Sequence, residues 1–258
     1  MATKTAFSEH EAKAITHVDW YNDATLNDII INNFVNYNSE NLNTTLLDIG
    51  CGVATMYRSL KHCVDHYYGV DNSMFMLKIA KQISPDINEE NLFLSKIEDI
   101  IDKSLFKNKV THILIKNVMQ FLDYDFVFSH IRKNYRKKVV CQLVQTTRRK
   151  ESKDLFKLLQ SLNFVKRTKH YLYKDELTDI INNQGFQIVD YKQYTQNFEM
   201  DEWLRYHNVD KKQIYNISKI LHKYSNSELH SYNITRKNGR YYLLRLLSII
   251  TFVKKDVE

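Results

Sequence analysis

The chain has 258 residues, 43% of them hydrophobic and 26% charged, enough for one large core or a core with a small cap. Its three cysteines, Cys51, Cys63 and Cys141, follow neither a disulfide nor a zinc spacing, and His10, His17, His62 and His66 are too scattered for a metal cluster. The net charge of +7 is spread along the chain, no apolar run is long enough to span a membrane, and the N-terminus lacks a signal-peptide core. A reduced, cytoplasmic setting is expected, with no metal, no membrane and no strong nucleic-acid partner. Residues 1–44 read as an N-terminal helical cap. Trp20, Leu26, Ile30 and Phe34 fall near one helical face, and Asp23 is placed to cap a helix over Leu26–Val35.

The next stretch organises the chain. Leu46, Leu47 and Ile49 form a short buried strand. Gly50 and Gly52 permit a tight turn and close backbone approach, and Thr55–Leu60 begins a helix. A second strand, His66–Val70, ends in Asp71, 21 positions after Gly50. A glycine turn followed by an acid about 20 residues later marks a nucleotide-binding βαβ unit. The bland alternative is an ordinary strand–turn–helix. The dinucleotide fingerprint fails, because Thr55 stands where its third glycine belongs, and no Gly-Lys-Ser/Thr signals a diphosphate loop.

Further alternation follows. Ser73 is placed to cap a helix carrying Met74, Leu77 and Ala80. Asn91–Leu94, Val110–Ile115 and Val139–Val144 read as strands, with a helix over Tyr124–Asn134. The pattern predicts an α/β sheet with helices on both faces. Sites in such sheets lie beyond the C-terminal strand ends. That rule selects Gly50–Gly52, Asp71, Ile97–Asp99 and Lys116–Phe121.

Leu47-Asp48-Ile49-Gly50-Cys51-Gly52, followed by Gly69-Val70-Asp71-Asn72-Ser73-Met74, resembles the class I S-adenosylmethionine-dependent methyltransferases. The resemblance implies a Rossmann-like core over residues 45–190, in a seven-stranded, mostly parallel sheet with a reversed final strand. It implies S-adenosyl-L-methionine as cofactor. Asp71 would take the ribose diol, and Asp48 would orient the turn and the cofactor's ammonium group. Cys51, Asn72, Met74, Ile97, Glu98 and Asn117 complete the expected cofactor site. Ala54 replaces the family's last motif glycine, and Lys96-Ile97 replaces an Asp-Ala that relatives use for the adenine amine. A segment ahead of the core would lie over the cofactor, with Trp20 or Tyr21 touching it. Gln120-Phe121, in a loop that lines the passage between cofactor and acceptor, are candidate acceptor contacts together with Tyr21, and stand where relatives often carry His-His or His-Phe. An amide does not titrate usefully, so no catalytic base is assigned. Lys116 is a candidate charge partner for an acidic acceptor or a base of shifted pKa, with a solvated lysine the ordinary alternative.

From Arg148 to Lys169, basic residues alternate with Leu155, Leu158, Leu159, Leu162 and Phe164, the pattern of an amphipathic helix on a protein surface or an active-site lid. A helix over Lys174–Asn183 stops at Gly185 before a strand over Phe186–Asp190. Residues 191–227 read as a substrate-side cap insertion, with Trp203, Tyr206 and His207 as acceptor contacts. Residues 228–258 read as a hairpin completing the sheet. Tyr241–Val253 is its main strand, Leu229–Thr235 the partner, and Asn238-Gly239 the turn. The chain reads as a monomer or homodimer that methylates a small-molecule acceptor, aromatic or acidic. The alternatives are an RNA or protein methyltransferase and a non-catalytic cofactor-binding scaffold.

Overall fold

A computed structural model describes residues 7–18, 21–37, 43–135, 139–147, 172–206 and 209–255. Trp20, His207 and the basic stretch Arg148–Lys169 therefore lie outside the described residues. Two helices come first, α1 (Glu9–Ile15) and α2 (Ala24–Asn36). Asp23 caps α2 through the Leu26 N–H at 3.0 Å, as its position predicts.

The core then alternates β1 (Thr45–Ile49), α3 (Thr55–Leu60), β2 (His66–Asp71), α4 (Met74–Ile83), β3 (Leu92–Leu94), α5 (Ile97–Ile100), α6 (Ser104–Lys109), β4 (His112–Lys116), α7 (Tyr124–Asn134) and β5 (Val140–Thr146). The C-terminal part comprises α8 (Lys174–Asn183), β6 (Phe186–Glu199), α9 (Met200–Tyr206), α10 (Lys211–Leu221), α11 (Asn226–Ser231), β7 (Ile234–Lys237) and β8 (Arg240–Lys254). The sheet runs β3-β2-β1-β4-β5-β8-β6, with β7 paired to β8. Strands β1 to β5 are parallel, and β8 is antiparallel to both β5 and β6. A mostly parallel sheet with a reversed last strand is what the alternation and the resemblance imply.

The two faces carry separate cores, because successive strand residues point to opposite sides. Leu47, Ile49, Ile113, Ile115, Leu143 and Phe252 pack beneath α7 and α8. On the other face Leu46, Leu114, Val144, Leu247 and Ile249 pack beneath α2 and α3. Polar residues share this second face near the strand ends, which places the site there.

Local cues misplace two late elements. Tyr191–Glu199 does not open the cap but continues β6, because the 15-residue β8 supplies a partner as far as Glu199↔Tyr242, with an irregularity between Ile188 and Asp190. The hairpin partner is β7, not Leu229–Thr235. Ser225 and Glu228 form a capping box that makes Asn226–Ser231 helical and buries Leu229. Asn238 and Gly239, both at positive φ, make the expected turn. Helices α9 to α11 pack on the projecting ends of β6 and β8 around Phe198, Trp203, Leu204, Ile217 and Leu243.

Candidate functional site

The turn after β1 is held from beneath. The Gly50 and Cys51 N–H groups both donate to the Val70 carbonyl, at 2.8 and 3.0 Å, fixing the turn to the end of β2. Gly50 and Gly52 adopt φ of +70° and +55°. A Cβ on Gly50 would meet Val118 at 2.3 Å, and one on Gly52 would meet the Tyr21 hydroxyl at 2.9 Å. The positive φ favours glycine at both positions, and a Cβ at either would have to displace a neighbouring side chain. Ala54 also sits in the left-handed region, at φ +54°. Its methyl turns into the core with Leu46 and Leu60. It does not narrow the turn.

Asp71, at the end of β2, is buried and braces the turn. One carboxylate oxygen accepts the Gly52 N–H at 2.9 Å and the other accepts the Ser73 N–H at 2.8 Å. Burial raises its pKa, and these N–H groups oppose the rise. Ser73 separately caps α4 through the Met76 N–H. Asp71 thus has the turn-bracing role that any helix-entry acid could have. A carboxylate has about four acceptor sites, so it keeps capacity for a ligand.

Asp48, one strand over, is 2% exposed and accepts the Tyr67 hydroxyl at 2.8 Å. Gly69 pairs directly with Asp48 and offers no side chain, which leaves room for Tyr67 to reach diagonally. Burial pushes the Asp48 carboxyl up to about 7, against the Tyr67 bond and the Lys116 charge. Lys116 ends β4 on the same face. It is 9% exposed and far from solvated, and burial pulls its ammonium down to about 8, opposed by Asp48.

The loop after β4 is pinned by amides. Asn117, at φ +58°, donates its N–H to Val144 and accepts from Arg245 at 2.8 Å. The Gln120 amide donates to the Asn117 carbonyl at 3.0 Å and accepts from Gln145 at 2.9 Å. The N-terminal segment crosses above. The Phe7 carbonyl accepts from the Ser73 hydroxyl, and the Phe7 ring meets Phe121 edge-on at 6.1 Å. Ala12, Ile15 and Val18 pack with Val53, Met76 and Tyr206 over the glycine turn.

No protein-family model and no curated protein sequence matches the chain. Solved structures do match its fold. A candidate methyltransferase from Bacillus halodurans is 13% identical, with 88% of this chain and 99% of that one covered at TM-score 0.70. Geranyl diphosphate C-methyltransferase from Streptomyces coelicolor, solved with Mg2+, geranyl diphosphate and S-adenosylhomocysteine, is 11% identical over 98% of this chain and 86% of that one, at 0.56. Phosphoethanolamine N-methyltransferase 2 from Haemonchus contortus, solved with phosphomonomethylethanolamine and S-adenosylhomocysteine, is 14% identical over 98% of this chain and 59% of that one, at 0.59. The chain has the class I methyltransferase fold.

Within that methyltransferase fold, Gly50, Cys51, Gly52, Asp48, Asp71 and Asn72 gather at the ends of β1 and β2, and Asn117 and Lys116 at the end of β4. Ile97 is buried in the first core, and Glu98 accepts the Asp123 N–H at 3.0 Å, tying α5 to the start of α7. Met74 is 60% exposed and borders an open groove of about 610 Å³ with Leu77, Lys78, Leu92 and Leu94 along the β3 edge. Tyr21 stands over Gly52, and burial together with Asp48 and Asp71 raises its hydroxyl pKa. Tyr206 faces the glycine turn, whereas Trp203 packs inside the C-terminal cap.

Sequence reasoning missed Tyr67 and Arg245. Arg245 donates to Thr146 at 2.6 Å as well as to Asn117, linking β8 to the β4 and β5 ends. The available signal was a single cation inside the apolar run Tyr241–Val253.

Proposed function

We propose that the protein is an S-adenosylmethionine-dependent methyltransferase acting on a small-molecule acceptor. The observation that carries this reading is the pair Gly52–Asp71. A close-packed glycine turn is braced by a carboxylate with acceptor capacity left for a ribose diol, at the strand ends of a methyltransferase fold. S-adenosylmethionine supplies an activated methyl group when bound. Asp71 would hold the diol, Asp48 the ammonium, and the Gly50–Gly52 backbone the span between them.

The rest of the chain's work is orientation and exclusion of water. Tyr21, Phe7 with Phe121, and Tyr206 with α1 cover the strand ends. A dry, aligned site supports methyl transfer without a titrating base. The hydrogen-bonded Gln120 amide fits such a site. Structural neighbours solved in complex with phosphomonomethylethanolamine and with geranyl diphosphate support the small-molecule acceptor class proposed here.

The test is incubation with methyl-labelled S-adenosylmethionine and size-fractionated cell extract. Label is expected in the small-molecule fraction. Label in RNA or protein instead would overturn the acceptor class. Donor binding with label in no fraction would favour a scaffold.

A further inference from the structure

Lys116 is a costly side chain to bury at the strand ends. Its ammonium lies 3.4 Å from the Asn27 amide oxygen, 3.5 Å from the Met56 sulfur and 5.2 Å from the centre of the Tyr21 ring. An amide dipole, a thioether and a π face each attract a cation, and none neutralises one. Among the described residues no carboxylate oxygen comes within 4.0 Å of it. Asp48 and Asp23 act on it only from a distance, and a buried ammonium with no counter-ion in contact is costly to hold. A surface lysine at this position would avoid that cost, yet Lys116 points inward.

Asp48 is its counterpart. The register pairs Asp48 with Leu114, so Lys116 lies two residues further along β4 on the same face. The strand ends thus hold a buried anion and a buried cation on one face, too far apart to form a direct ion pair. Each is electrostatically incomplete, and burial moves both toward neutrality.

Strand order gives the direction of a bound ligand. Asp71 ends β2, the glycine turn follows β1, and Lys116 ends β4, and these strands are adjacent in the order β2-β1-β4. A donor with its ribose at Asp71 that crosses the turn brings its other end to Asp48 and Lys116. In S-adenosylmethionine that end is an α-amino acid, with an ammonium and a carboxylate on one carbon. We propose that Lys116 binds the donor's α-carboxylate, so that Asp48 and Lys116 together read the zwitterionic end. Tyr21 and Asn27, from the N-terminal cap, close over this pair. The assignment rests on the donor reading under Proposed function.

Calorimetry on the full chain with S-adenosylmethionine and decarboxylated S-adenosylmethionine tests it. The wild type should prefer the intact donor by about 30-fold, the effect of one charge-assisted contact. Lys116→Met should lose about that factor for the intact donor and bind the decarboxylated one within about twofold of wild type. Lys116→Arg should recover part of the preference. A Lys116→Met variant that weakens for both ligands equally, or for neither, overturns the assignment and leaves Lys116 as a counter-charge for Asp48. Should Lys116→Met not fold, the wild-type ratio decides, and a preference below about threefold overturns the assignment. Wild-type binding of neither ligand would overturn the donor reading itself, and this inference with it.

Discussion

Replacing Asp71 with Asn separates the two roles of this carboxylate. The change is nearly isosteric, so the turn keeps its shape. One oxygen becomes an NH2 group that faces either the Gly52 or the Ser73 N–H, which now donate at 2.9 and 2.8 Å. One buried N–H is left unmatched, costing about 1–3 kcal/mol. Removing a buried charge, whose pKa burial already raises, offsets part of that cost. The net loss should be about 1 kcal/mol, or roughly 2–4 °C in Tm for a chain of this size. Ligand binding suffers more. A neutral amide replaces an anion that accepts from the diol, a loss of about 2 kcal/mol or about 30-fold in Kd for S-adenosylhomocysteine by calorimetry. The 2′,3′-dideoxy analogue lacks those hydroxyls and should bind wild type and variant alike. A folded Asp71→Asn variant whose Kd for S-adenosylhomocysteine stays within about twofold of wild type would refute the diol assignment.

Other outcomes follow from the same geometry. Ala54→Gly relieves a left-handed φ worth about 1–2 kcal/mol, but it gives up a fully buried methyl and frees the unfolded chain, each about 0.4–1 kcal/mol. The Tm should therefore move by less than about 4 °C, and a larger change in either direction on thermal unfolding contradicts that balance. His112 is buried against Phe34 at 4.4 Å between centroids, and burial lowers its pKa from 6.5 to about 4. The unfolded chain takes up this proton first, so its stabilising contribution is present above pH 6.5 and is lost as pH falls toward about 4. His112→Leu should accordingly lose less stability than wild type between pH 7 and pH 4.5, by up to about 3 kcal/mol in urea unfolding, and parallel losses would contradict it. Trp203→Ala should cost about 3–5 kcal/mol through the cap core, while S-adenosylhomocysteine affinity in the folded protein stays within about twofold. A donor-specific loss would place Trp203 beside the bound donor instead.

The legible parts of this protein are those set by near neighbours in sequence. Gly50 and Gly52 mark a close-packed turn, Asp23 and Ser73 cap the helices they precede, and Asn238-Gly239 turns the last hairpin. What stayed hidden depends on pairing between distant segments. Lys116 reads as an acceptor contact or a solvated lysine until the β1–β4 register places it on the Asp48 face under Tyr21. Tyr67 reads as one more strand aromatic until Gly69 opens a path to Asp48. The polar, charged sequence of Tyr191–Glu199 resembles a loop or cap, and only its long pairing with β8 makes it a strand. Leu229 reads as a strand residue because its apolar side chain says nothing about the capping box at Ser225.

On the function proposed above, the ends of β1, β2 and β4 hold S-adenosylmethionine. Titrating the full chain by calorimetry with S-adenosylmethionine, S-adenosylhomocysteine, NAD and ATP tests it most directly. One molecule per chain of S-adenosylmethionine or S-adenosylhomocysteine should bind, with no comparable binding of NAD or ATP. Tight NAD binding with none of S-adenosylmethionine or its product would contradict it.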